Sequence, residues 1–281
     1  MIPKIIHYCW FGGNPLPESA KKCIASWRKF LPDYEIWQWS EEELVSSEPN
    51  DNVDHDDNSL SPSLPLREGG KNENEKDLFD KILPFDVNSI PYTQQAYEAK
   101  KYAFVSDYAR FWILYKYGGL YFDIDVEIIK PMDDIIERGP FMGIEKTPTS
   151  KITPMINPGL GLGATPQMDI YRQILDSFHR MEFYSEDASI NPFSMIPMVT
   201  KLFSELGFKA NKEVEYVAET YIYPEDVFCP MDSTTGITTI TDSTVSIHHY
   251  DCSWMDHNTL RFRIHVLKNC IYRILHKLHL K

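Results

Sequence analysis

Paired cysteines are missing from this chain. Its five cysteines (Cys9, Cys23, Cys229, Cys252, Cys270) are odd in number, widely spaced and never arranged as CxxC. That pattern speaks against a disulfide framework or a structural zinc site, and for a reducing compartment. No apolar run reaches the ~20 residues of a membrane-spanning helix, and the one near Met1 is too short for a signal peptide, so a cytoplasmic protein is expected. No GxSxG, Walker or zinc motif occurs, which leaves serine-hydrolase and P-loop chemistry without support. Positive charge is scarce: the net charge is −13. A phosphate backbone would be repelled, so no nucleic-acid partner is expected. No internal repeat is visible.

What is present suits a globular protein. The 281 residues are 43% hydrophobic and 13% aromatic, enough for one large domain or two small ones. A β-rich segment, Lys4 to Phe11, ends at Gly12-Gly13. A helix is expected from Pro17 to Phe30 and a second strand from Tyr34 to Trp39. Strand, helix, strand within forty residues is the opening of an α/β domain with a parallel sheet. From Thr93 the pattern is helical until Gly118-Gly119, with Phe104, Tyr108, Phe111, Trp112 and Tyr115 as the buried stripe. Further strands are expected at Leu120 to Ile129, Phe141 to Ile144, Leu160 to Ala164 and Val245 to Tyr250. Helices are expected at Asp169 to Arg180 and Ser194 to Leu206.

Two segments stand apart. Ser46 to Asp77 holds nine acids against three bases and no aromatic, so it cannot bury enough apolar area to offset its ordering entropy and reads as an insert. Its Asp54-His55-Asp56-Asp57 cluster reads as a solvated acidic loop rather than a cation site. Thr259 to Lys281 carries six Lys or Arg, three His and no acid, and reads as a basic amphipathic helix. The expected organisation is therefore a catalytic domain over 1–258 and a helix over 259–281. The helix has two readings, a peripheral membrane contact through its cationic face or an ordinary packed helix; the acidic body favours the first.

The chemistry centres on Asp123-Ile124-Asp125. Two carboxylates two apart on a strand share one face. They are costly there unless a cation or water neutralises them. A hard ion, Mn²⁺ or Mg²⁺, accepts few protein carboxylates and fills its other positions with phosphate oxygens. That is what activating a diphosphate leaving group requires. Alone, a DxD is weak evidence, since it recurs by chance.

The neighbouring residues sharpen it. The run from Ala103 through Ser106-Asp107-Tyr-Ala-Arg110 and Gly118-Gly119 to Asp125 resembles the sugar-binding region of glycosyltransferase family 32. It is more distantly similar to the catalytic domains of large clostridial glucosylating toxins. The resemblance extends to Ile2–Gly12 and Ile247–Trp254. It implies a GT-A-type fold, with a mostly parallel sheet flanked by helices, and transfer from a nucleotide sugar with retention at the anomeric carbon.

By the same resemblance, Asp125 is the direct metal ligand, and Asp123 reaches the metal through water or meets the donor ribose. Asp107 and Arg110 meet the sugar or phosphate; the bland alternative is a surface pair worth under ~1 kcal/mol. Trp10 lies where relatives stack the base, while His7 reads as core. Asn157, Gly159 to Gly161 and Asn191-Pro192 lie where relatives line the sugar pocket, and Ser253-Trp254 where they meet the donor phosphate. A late histidine completes the metal shell. Since neighbours on a strand face opposite ways, only one of His248 and His249 serves, and His249 is the choice. Glu145 and Asp232 are both open as catalytic carboxylates.

The partners expected are a nucleotide-sugar donor, with a UDP-sugar favoured and GDP open, and a glycan or lipid-linked acceptor. Two other functions compete. A phosphohydrolase would need further Asp or His to bridge a second metal, and a non-catalytic nucleotide-sugar-binding module would act without metal.

Overall fold

The structure, a computed structural model, describes residues 1–41, 67–68, 78–145, 154–184, 195–233 and 235–251. The Asp54–Asp57 cluster, Asn191-Pro192, Ser253, Trp254 and the 259–281 segment lie outside the described residues.

The chain opens as expected with β1 (Ile5–Cys9), α1 (Glu18–Phe30) and β2 (Glu35–Glu41). Within the expected insert, β3 (Arg67–Glu68) pairs antiparallel with β4 (Lys81–Phe85), so these two residues extend the sheet rather than leave it. The long helix expected from Thr93 is two helices, α2 (Pro91–Glu98) and α3 (Tyr102–Tyr117). The break falls at Lys100, whose φ of 56° lies in the left-handed region. Helix α3 stops at Gly118, φ 63°, where a side chain would strike Pro166 and the Ala164 carbonyl.

The expected strand from Leu120 to Ile129 is also divided. β5 (Gly119–Tyr121) and β6 (Val126–Ile128) flank a turn closed by the Val126 N–H on the Asp123 carbonyl at 3.0 Å. Then follow α4 (Asp133–Arg138), β7 (Phe141–Glu145), β8 (Met155–Ile156), a 3₁₀ turn at Pro158–Leu160, and β9 (Leu162–Ala164). α5 (Asp169–Phe178), α6 (Met195–Glu205), β10 (Glu215–Val217), β11 (Thr220–Tyr223), α7 (Glu225–Phe228) and β12 (Ser246–His248) complete the described chain.

The α/β class is as expected, a central sheet with helices on both faces. Its order is β10-β11-β7-β9-β5-β1-β2-β4-β3, with β8 beside β7; β6 and β12 form a separate antiparallel ribbon. Parallel pairing runs through β5, β1, β2 and β4 and recurs between β7 and β11, whereas β9, β8, β10 and β3 pair antiparallel. Strand alternation builds two cores. Ile6 and Tyr8 of β1 and Leu120 of β5 join Trp27 of α1 and Phe228 on one face. Cys9, Trp39 and Tyr121 join Phe111, Tyr171 and Phe178 on the other.

This topology places the site. From β1 the chain moves outward to β2 and β4, returns through α3, and lays β5 against the opposite side of β1. The turn leaving β5 thereby stands beside the end of β1, with the Phe122 N–H on the His7 carbonyl at 3.2 Å. Such a reversal at the carboxyl edge of parallel strands opens a ligand crevice.

Candidate active site

The turn after β5 carries Asp123 and Asp125 at that edge. They converge because of the turn, not because a continuous strand alternates. Asp125 is fixed from the β6–β12 side: its carbonyl accepts the His249 N–H at 2.9 Å, and its Oδ2 accepts the Asp251 N–H at 3.0 Å. His248 Nε2 lies 3.3 Å from Asp125 Oδ1. Among the described residues, one ligand atom each from Asp123, Asp125 and His248 falls within a mutual 4.8 Å.

His249 is not in that group. Its Nε2 meets Glu127 Oε2 at 2.8 Å, on the opposite side of the strand. The reasoning that only one histidine can face the acids holds, but the one brought there is His248. The register decides it: His248 is the last paired residue of β12, opposite Val126, and only that side of the ribbon looks back at the turn.

Arg110 lies beneath the pair, on α3. Its Nη2 reaches Asp107 Oδ1 at 3.0 Å and Asp123 Oδ1 at 3.2 Å, Nη1 reaches Asp123 Oδ2 at 3.3 Å, and Nε donates to the Ser106 carbonyl at 3.1 Å. The guanidinium also covers the Tyr121 ring, 5.0 Å from its centroid. A two-pronged grip of this kind orients a carboxylate as well as balancing its charge. With the Arg110 side chain only 4% exposed, the exposed-pair alternative does not apply. Burial raises the Asp107 carboxyl to about 6, with Arg110 pulling it down and Asp123 pushing it up. Burial likewise raises Asp123, opposed by Arg110.

Asn157 and Gly159 form an adjoining wall. Asn157 Oδ1 accepts the Gly159 N–H at 2.8 Å, opening the 3₁₀ turn. A Cβ on Gly159 would sit 2.5 Å from Asp123 Oδ2, so only glycine allows this approach. Trp10 is partly exposed at the end of β1, with its indole N–H on the Asn14 carbonyl. Its loop is pinned by Glu41 of β2, whose Oε1 accepts from the Gly12 N–H at 2.9 Å and from the Tyr97 hydroxyl at 3.0 Å.

His7 is core, as expected. It is fully buried, takes the Trp39 indole N–H on Nδ1 and faces the Gly118 carbonyl with Nε2; burial drops its pKa to about 3. Sequence reasoning missed Tyr250, which adopts φ 53° and sets its ring edge-on to His248 at 4.3 Å. Nothing in a lone tyrosine after two histidines signals that contact.

Comparison with known proteins agrees with the residues. Residues 17–142 match the family model described as "Glycosyltransferase sugar-binding region containing DXD motif". Two curated relatives from Schizosaccharomyces pombe are similar: Inositol phosphoceramide mannosyltransferase 1, 29% identical over 50% of this chain and 33% of that protein, and Inositol phosphoceramide mannosyltransferase 3, 28% identical over 48% and 27%. The chain thus spans about a third of the length of these relatives. Among solved structures, PaToxG Glycosyltransferase is similar at 18% identity over 73% of this chain and 70% of that one, with a TM-score of 0.43. The matched stretch 17–142 includes the Ser106–Asp125 run, whose motifs led one to expect such a match.

Proposed function

We propose that this chain is a retaining, divalent-metal-dependent glycosyltransferase. It moves a hexose or N-acetylhexosamine from a nucleoside diphosphate sugar to a glycan or lipid-linked acceptor, in polysaccharide or glycoconjugate synthesis. The observation that carries this reading is the meeting of Asp123, Asp125 and His248 at the carboxyl end of β5. Two carboxylates and an imidazole suit Mn²⁺, and Mg²⁺ less well, and leave coordination positions for phosphate oxygens. A bound divalent ion would supply charge neutralisation to a departing diphosphate. The names of the two yeast relatives favour a hexose and a lipid-linked acceptor.

The chain's own residues do the positioning. Arg110 holds the Asp123 carboxylate in one orientation, and the backbone of His249 and Asp251 holds Asp125. Asn157 and Gly159 wall the side on which the sugar sits, and the Trp10 loop beside β2 is left for the nucleoside. A cytoplasmic enzyme touching the inner membrane face through 259–281 belongs to the same reading. Liposome flotation with and without that segment checks it, and equal flotation would remove it.

The decisive experiment incubates the chain with a panel of nucleotide sugars, UDP-sugars first, in Mn²⁺ and in EDTA. Sugar release or transfer that needs Mn²⁺ is expected. Turnover that persists in EDTA would reject the metal reading, and donor binding without any turnover would leave a binding module.

A further inference from the structure

Two carboxylates remained equal candidates for catalysis, and their surroundings separate them. Asp232 accepts the Thr235 N–H through its side chain at 3.1 Å and so caps its own turn. Glu145 ends β7 at the edge of the sheet, and its Oε2 accepts a hydrogen bond from Asn157 Nδ2 at 2.9 Å. The Asn157 amide has no choice of orientation. Its oxygen must face the Gly159 N–H, so its NH₂ must face Glu145. Gly159 in turn lies against Asp123.

Glu145 is thus tied to Asp123 through Asn157 and Gly159. One carboxylate oxygen is held by the wall of the crevice. The other, Oε1, has no protein hydrogen bond among the described residues.

We propose that Glu145 is a further catalytic residue, facing the transferred sugar and stabilising the positive charge that builds on its anomeric carbon. This rests on the transferase reading above. In the step, the bond between C1 and the β-phosphate oxygen breaks, and its electron pair leaves with the diphosphate. The acceptor oxygen forms the new bond to C1, and its proton passes to a phosphate oxygen. No bond to Glu145 forms. Its fixed negative charge acts on the transition state more than on the bound donor.

The test is Glu145→Gln, which can still accept from Asn157 but carries no charge. The expected result is a kcat lower by about 100-fold, with the affinity for nucleoside diphosphate plus Mn²⁺ unchanged by calorimetry and an unchanged thermal midpoint. Wild-type kcat in this variant would overturn the proposal, as would a loss confined to donor KM. Should Glu145→Gln fail to fold, Glu145→Asp retracts the charge by one methylene. It is then expected to lose kcat by about tenfold with donor affinity kept, and full kcat would overturn the proposal. A wild-type chain inert with every nucleotide sugar would sink the transferase reading itself, and Glu145 with it. An active wild type with an unimpaired Gln variant sinks Glu145 alone.

Discussion

His7 and His248 are both buried, and they sit in opposite situations. In the β1–β2 half, His7 has each ring nitrogen matched, Nδ1 to the Trp39 indole and Nε2 to the Gly118 carbonyl. Burial keeps it neutral. In the β6–β12 ribbon, His248 directs Nε2 at a carboxylate, while its buried Nδ1 has no hydrogen-bond partner among the described residues. A satisfied polar group in a core specifies packing; an unsatisfied one beside two carboxylates is costly unless something else binds there.

The sharpest way to break this contrast is Asp125→Ala. Transfer in saturating Mn²⁺ should fall by at least about 1000-fold, while the thermal midpoint stays near wild type because the β1–β2 core is untouched. Undiminished turnover would bring down the metal reading.

His7→Ala should do the reverse. It leaves a cavity and orphans the Trp39 N–H and the Gly118 carbonyl, costing about 2–4 kcal/mol. Denaturant unfolding should show that loss, and kcat per folded molecule should hold. A stable variant with poor turnover would place His7 in the site instead.

The two late histidines give the smallest effect and the finest distinction. His248→Ala should weaken Mn²⁺ binding by about 10- to 100-fold, whereas His249→Ala, which removes only a partly exposed pair with Glu127, should change it less than about threefold. Mn²⁺ titration followed by electron paramagnetic resonance reads both. A larger effect from His249→Ala would restore the assignment drawn from sequence alone.

Much of this was legible in the residues, and the misses share a cause. The strand, helix and strand from β1 to β2 followed from local pattern, as did α5, α6 and β7. The Asp107, Arg110, Asp123 and Asp125 constellation was visible as a motif, and its members do meet. The break at Lys100 and the turn inside the DxD run were not visible. Both interrupt stretches whose composition suits a continuous element, and each depends on how the flanking pieces pack. The burial of Arg110 was hidden for the same reason, since Asp and Arg three apart look alike on a wet or a dry helix face.

What the residues determined by themselves were the periodic elements, the absence of disulfide and zinc patterns, and the pair of acids at a strand end. These are properties of near neighbours along the chain. Only the tertiary structure decided that His248 rather than His249 joins the acids, that Arg110 grips Asp123 from beneath, and that Glu145 takes the Asn157 amide while Asp232 caps its own turn. Each of those outcomes depends on side chains from different strands and helices converging on one edge of the sheet. The register of β12 on β6 and the reversal between β1 and β5 set that convergence.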